Sequence, residues 1–160
     1  MVNALFVADY LGMLAKNSID LAAYWNIHNG IFDRGGDYGY LSRDDVPEGL
    51  NVPRPSYFAF KVARESLQGK LVLCKSDDIN VAVYGTIQSD GSKNMLIINK
   101  YPFTAGDITI QIPGFEGIGS LTQITNDNVK NSMLRTQEVT IKKGVGIKIP
   151  AYSISMLRIK

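Results

Sequence analysis

Trp25, Asn26 and His28 stand together at the end of the apolar run Leu21-Ala22-Ala23-Tyr24. An indole offers an apolar face to a sugar ring, and an amide and an imidazole beside it can hydrogen-bond hydroxyls. The stretch Ile19–Trp25 reads as a buried strand, and the C-terminal ends of strands are where barrels and open α/β sheets bind substrates. Residue types alone leave a plainer reading beside this one, with Trp25 in the core and His28 a loop residue with its own partner. Tyr101 and Phe103, in a Tyr-Pro-Phe stretch after a strand, are the second candidates. Together with Tyr84, Phe115 and Tyr152 they would make a flat stacking platform if several pointed outward. Tyr84 and Tyr152 lie in or beside apolar strands, which favours core positions for both.

Acid–base cleavage of a glycoside needs two carboxylates on a rigid frame, roughly 5–10 Å apart. The only glutamates are Glu48, Glu65, Glu116 and Glu138, and each has an ordinary place. Glu48 sits in a Pro-Glu-Gly turn, Glu65 on a helix, Glu116 between glycines, and Glu138 at a strand start. Asp33, Asp37, Asp44 and Asp45 crowd a long loop, a poor frame for a catalytic pair. No Gly-x-Ser-x-Gly turn, phosphate loop or dinucleotide fingerprint occurs, so no catalytic residue and no cofactor is expected. One His and one Cys cannot build a zinc site within one chain, and no calcium loop of the Asp-x-Asp-x-Asp-Gly kind is present. No metal site is expected. Cys74, in Leu71-Val72-Leu73-Cys74, reads as a buried thiol rather than a nucleophile.

The elements that must position these residues change character near Gly69-Lys70. A helix Ala4–Lys16, capped by Asn3 and apolar nearly all round, is expected to be covered on several sides. A long glycine-rich loop from Asn26 to Pro53 follows the strand, and loops of that length are usually functional or mobile. Pro55 and Gly69 suit the first turn and the C′ position of a second helix, Arg54–Gln68. Thereafter the period is two and no further helix is expected. Candidate strands are Leu71–Lys75, Ile79–Ile87, Asn94–Asn99, Asp107–Ile112, Leu121–Thr125, Glu138–Lys142, Val145–Ile149 and Ser153–Ile159. Asp90-Gly91 and Lys143-Gly144 mark hairpin turns. The fold class is therefore mainly β: an antiparallel β-sandwich of about eight strands preceded by a helix-strand-helix segment. The boundary divides the chain into 1–69 and 70–160, with the two parts packed directly on each other.

Composition narrows the partners. A net charge of +2 spread over 160 residues gives no basic stripe for nucleic acid. Leu5–Ala15 is interrupted by Asp9 and lacks a preceding positive charge, so it reads as a buried helix rather than a leader or a membrane span. No membrane partner is expected, and the cellular location stays open.

The order of elements resembles the C-terminal end of retaining glycoside hydrolases of the arabinofuranosidase and xylosidase type. Tyr38-Gly39-Tyr40-Leu41-Ser42 and Arg54-Pro55-Ser56-Tyr57-Phe58-Ala59-Phe60 look like that family's passage into the last helix of a (β/α)8 barrel. Ile149-Pro150-Ala151-Tyr152-Ser153-Ile154-Ser155-Met156-Leu157-Arg158 resembles its closing sandwich strand. The resemblance implies that Ala4–Lys16, Ile19–Trp25 and Arg54–Gln68 are helix seven, strand eight and helix eight. Residues 1–69 would then be a truncated barrel segment. It further implies that the catalytic glutamates precede Met1, and that Trp25 is the substrate-site aromatic, with Asn26 and His28 beside it. Two functions follow: a non-catalytic module binding plant cell-wall polysaccharide or oligosaccharide, or a structural accessory that stabilises a barrel without sugar affinity. A secreted parent enzyme fits either. One β/α repeat cannot close a barrel, so apolar surface is left over, and either a homo-oligomer through 1–69 or a rearrangement of the first 70 or so residues onto the sandwich is expected.

Overall fold

The computed structural model describes residues 1–29, 38–103, 106–109, 115–129, 134–143 and 145–160. Gly30, Asp33, Gly35, Gly36, Asp37 and Gly144 lie outside them. Helix α1 runs Val2–Lys16 and α2 Pro55–Ser66. The strands are β1 (Lys70–Val72), β2 (Val81–Ile87), β3 (Lys93–Asn99), β4 (Gly106–Thr109), β5 (Gly117–Ile124), β6 (Arg135–Ile141), β7 (Gly146–Ile149) and β8 (Ser153–Ile159), with a single helical turn α3 (Asn126–Val129) between β5 and β6. Six strands form one sheet in the order β1-β2-β3-β8-β5-β6, and β4 pairs with β7 in a second. Every ladder is antiparallel, and the fold is mainly β as expected.

Period-two alternation sorts the side chains of the large sheet onto two faces. Leu96, Ile98, Ile124, Ile154 and Met156 meet Leu5, Val7, Ala8, Phe58 and Val62 of the two helices in one apolar core. Ile97, Leu121, Leu157 and Ile159 point the other way, onto Ile147, Ile149 and Ile108 of β7 and β4. The central strands are thus covered on both faces, which is why β3 reads as an unbroken apolar run. Asp90-Gly91 makes the expected β2–β3 hairpin, with Gly91 at φ 82°. Gly144 lies outside the described residues; on either side of it Val145 donates its N–H to the Lys142 carbonyl at 3.1 Å, while β6 pairs with β5 and β7 with β4 rather than with each other.

Pro55 opens α2, and Gly69 follows it at φ 95°, where a Cβ would come within 2.4 Å of the Ile87 carbonyl oxygen. No side chain there could replace hydrogen without moving the backbone. Helix α1 begins earlier than expected: Met1 occupies the N-cap, and Asn3 lies inside the helix with its amide donating to the Tyr24 hydroxyl at 3.0 Å. The turn α3 corrects the expectation of no helix after Gly69. Thr125 and Asn128 cap it reciprocally, through Asn128 Oδ1 on the Thr125 N–H (2.6 Å) and Thr125 Oγ1 on the Asn128 N–H (3.3 Å).

Two further expectations fail together. Ile19–Trp25 is not a buried strand: it pairs with no strand among the described residues, and Ile19, Leu21 and Trp25 are exposed. A strand exists through its neighbours' N–H and C=O groups, and nothing described supplies them here. Nor is α1 covered on several sides. Ala4, Leu5, Val7 and Ala8 are buried, while Val2, Phe6, Tyr10 and Met13 face outward. Among the described residues, no helix is long and apolar enough to cross a membrane.

Candidate functional site

Behind Trp25 lies a knot of aromatic rings. Tyr24 stacks on Tyr40 with centroids 4.4 Å apart, and Phe60 of α2 meets both edge-on, at 5.1 Å from Tyr24 and 4.4 Å from Tyr40. The Tyr24 hydroxyl accepts from Asn3 and donates to the Tyr38 carbonyl. This ties the stretch before Trp25 to α1 and to the loop at once. Burial and the neighbouring Tyr24 push the Tyr40 hydroxyl well above the usual tyrosine range. The knot forms the base of the site.

The chain after Trp25 is held by backbone pairing. Tyr40 and Leu41 donate their N–H groups to the Asn26 and Ile27 carbonyls at 3.3 and 3.0 Å, and Arg54 donates to Tyr40 at 2.7 Å. Gly39 permits this approach, since a Cβ there would come within 2.9 Å of the Ile27 carbonyl oxygen. Ser42 is fully buried, and its hydroxyl donates to the Gly49 carbonyl while accepting from the Val52 N–H at 2.8 Å. These bonds fold the far end of the loop back under Asn26 and His28.

On this base Trp25 is 82% exposed. The Trp25–Asn26 peptide bond is cis. The indole borders a cleft of about 350 Å³ whose lining includes Phe6, Tyr10, Ala22, Tyr24 and Phe60. The Asn26 Oδ1 atom is buried without a hydrogen-bond partner. His28 is exposed, and its Nε2 donates to Asn51 Oδ1 at 2.7 Å. Asn51 takes a left-handed conformation (φ 65°) that asparagine tolerates. Trp25 thus stands on an exposed ledge that borders the cleft, whereas Asn26 and His28 are not among the residues that line it, and Asn26 Oδ1 is shielded from solvent.

Tyr101 and Phe103 do not line that cleft. The Tyr101 hydroxyl donates to both oxygens of Asp78 (3.0 and 3.2 Å), its N–H to Asn99 Oδ1 (3.1 Å), and its carbonyl accepts from Tyr152. Phe103 is 94% exposed. The flat platform is not formed: strand alternation turns Tyr84 onto α1, Tyr152 packs on the helix-side core, and Phe115 lies against the opposite one beneath Lys93. Burial raises the pKa of the half-buried Cys74 thiol, and its sulfur lies over Gly85.

The cleft lining contains no carboxylate among the described residues. Glu48 pairs with Arg54 at 3.0 Å, Asp45 with Arg43 at 3.1 Å, and Glu116 accepts from the Lys143 N–H at 3.2 Å. Among the described residues no group of three His, Cys, Asp or Glu side chains could hold a metal ion.

The fold of this chain occurs in solved proteins. The α-L-arabinofuranosidase of family GH51 from Thermotoga petrophila RKU-1 matches with a TM-score of 0.70 at 15% identity, over 98% of this chain and 38% of that one. The fold is glycoside-hydrolase-like. A GH44 xyloglucanase from Paenibacillus polymyxa matches at 0.67 and 18% identity, over 95% of this chain and 28% of that one. CelM2, a bifunctional glucanase-xylanase from a metagenome library, matches at 0.56 and 23% identity, over 69% and 24%. The chain therefore spans little more than a third of the first and less than a third of the others. No protein-family model and no curated protein sequence matches it.

The residues that reading the sequence missed are those that build the base: Asn3, Tyr40, Phe60 and Asn51. Their signal was faint. Tyr38-Gly39-Tyr40 advertises a loop, and only the glycine between two tyrosines hints that backbone passes close there.

Proposed function

We propose that this chain is the C-terminal part of a plant-polysaccharide glycoside hydrolase, comprising the end of its barrel (1–69) and its β-sandwich (70–160). In this reading it is not catalytic by itself and binds carbohydrate at the Trp25 ledge. The observation that carries the proposal is an 82% exposed indole fixed beside a cleft of about 350 Å³, in a fold shared with an arabinofuranosidase over 98% of the chain. The Trp25 face would stack on a pyranose or furanose ring, and the second ring nitrogen of the exposed His28 would accept a sugar hydroxyl. Arabinan and xyloglucan are the first polymers to try, given the names of the similar structures.

Affinity electrophoresis against arabinan, xylan, xyloglucan and β-glucans, with hydrolysis followed in parallel, tests this. The expected result is retardation by at least one polymer, no hydrolysis, and loss of retardation in Trp25→Ala. Truncating a tryptophan that becomes buried against its ligand typically costs about 2 kcal/mol, roughly a 30-fold weakening. Retardation that survives Trp25→Ala would move binding to the sandwich, with Phe103 and Tyr101 the next residues to change. Hydrolysis by the isolated chain would overturn the non-catalytic reading.

A second reading is favoured by a separate observation, the apolar face of α1 left uncovered. There the chain is a structural accessory that supports a barrel and has no sugar affinity of its own. Absence of retardation by every polymer would select it.

A further inference from the structure

We propose that Asn51 is a positioning residue for the sugar site. It fixes His28 as one tautomer, so that the ring offers an acceptor nitrogen to a sugar hydroxyl. The inference rests on the carbohydrate-binding reading above, and it gives a role to a loop residue that does not line the cleft.

His28 Nε2 and Asn51 Oδ1 lie 2.7 Å apart. An amide oxygen only accepts, so the proton of the neutral ring sits on Nε2 and Nδ1 keeps its lone pair. Among the described residues no other hydrogen bond reaches the ring, and His28 is exposed. Water competes for both groups of an exposed bond, so the pair adds little to stability. What it adds is orientation. Asn51 also supplies its acceptor without a charge, whereas a carboxylate there would favour the imidazolium, which has no acceptor nitrogen to offer. The charged side chains between Ser42 and Arg54 engage one another instead: Arg43 pairs with Asp45 and Arg54 with Glu48, while Asp44 makes no described contact with the ring.

Two adjacent residues hold both partners of this bond. His28 forms a β-bridge with Leu41, whose N–H donates to the Ile27 carbonyl at 3.0 Å. Ser42, fully buried, accepts the Asn51 N–H on its carbonyl at 2.9 Å, and its own N–H donates to the Val52 carbonyl at 2.9 Å. The backbone at Asn51 stands at φ 65°, a left-handed conformation for which asparagine is enriched among residues with a side chain. Ring and amide therefore meet from neighbouring, backbone-paired positions.

His28 is the only histidine of the chain, so the imidazole nitrogen resonances of the isotope-labelled protein belong to one ring. At about pH 8, where imidazoles are neutral, the expected spectrum shows a protonated Nε2 and a bare Nδ1. Asn51→Gly, which keeps the left-handed backbone without strain, is expected to raise the share of the other tautomer. Asn51→Asp, which keeps an acceptor oxygen in place, restores the parent order. Trp25 fluorescence with arabino- and xyloglucan oligosaccharides then reads affinity. His28→Ala is expected to bind about 5-fold and Asn51→Gly about 3-fold more weakly than the parent chain. Adding Asn51→Gly to His28→Ala costs nothing more, because Asn51 acts through the ring. Unchanged proton order or unchanged affinity in Asn51→Gly would overturn the inference, as would a further loss in the double variant. A parent chain that binds through Trp25 with its tautomers mixed overturns this role alone. A parent chain that binds neither oligosaccharide overturns the proposed function and this role together.

Discussion

The run Met95-Leu96-Ile97-Ile98 lies on β3 with a strand on either side and an apolar layer on both faces. The run Leu21-Ala22-Ala23-Tyr24-Trp25 is comparably apolar, yet it pairs with no strand among the described residues and leaves Leu21 and Trp25 in the open. Local hydrophobicity is not what separates them. β3 has partners that satisfy its backbone and cover its side chains, while the earlier run borrows support only from the tyrosine knot and α1. A strand is a property of a pair, and burial is a property of layers. The contrast also explains why Trp25 stays exposed: among the described residues nothing covers it.

The sharpest way to break this comparison is to shorten one leucine in each run. Leu96→Ala removes a fully buried side chain from the helix-side core and is expected to cost about 3 kcal/mol in urea denaturation. Leu21→Ala is expected to stay within about 0.5 kcal/mol of the parent chain. Similar losses at both sites would mean that Ile19–Trp25 is buried after all.

A smaller effect sharpens the boundary between the regions, which runs along α1. Gly12→Ala forces a methyl against the Tyr84 ring and is expected to destabilise by about 1–3 kcal/mol. In a Tyr84→Ala background the same change should be nearly silent, because the obstacle is gone. An equal cost in both backgrounds would show that α1 does not dock on Tyr84.

The mildest expectation concerns alkaline pH. Burial, the hydrogen bond to Asp9 and the Asp9 charge all raise the Tyr84 pKa above its usual value. A folded pKa above the unfolded one means that the neutral hydroxyl favours the folded state. Its contribution is full below pH ~10 and is lost as the pH rises beyond it. Tyr84→Phe should therefore flatten the decline of stability above that pH, as followed by urea midpoints. An unchanged slope would place the alkaline sensitivity elsewhere, with Tyr40 the next residue to replace.

The β part was legible because its signals are local. Alternation placed Ser153–Ile159 to the residue, and Asp90-Gly91 marked its hairpin. Pro55 and Gly69 likewise bracketed the second helix. What was not legible depended on distant partners. Asn3 looks like a cap in sequence, and only Tyr24, 21 residues on, makes it a bridge inside the helix. Ile19–Trp25 has a strand's composition without a strand's neighbours. At the site, Trp25 and His28 were visible by type, whereas the stack of Tyr24, Tyr40 and Phe60 joins three separate segments that no local pattern connects.

Trp25 is the only tryptophan of the chain, so its fluorescence reports on the proposed ledge without interference. The most direct test of the central claim is a titration of that emission with arabino- and xyloglucan oligosaccharides. An exposed indole emits at long wavelength, and stacking on a sugar is predicted to shift the emission to the blue and saturate with ligand. Saturable binding measured by calorimetry with no change in that emission would place the ligand away from Trp25 and contradict the account.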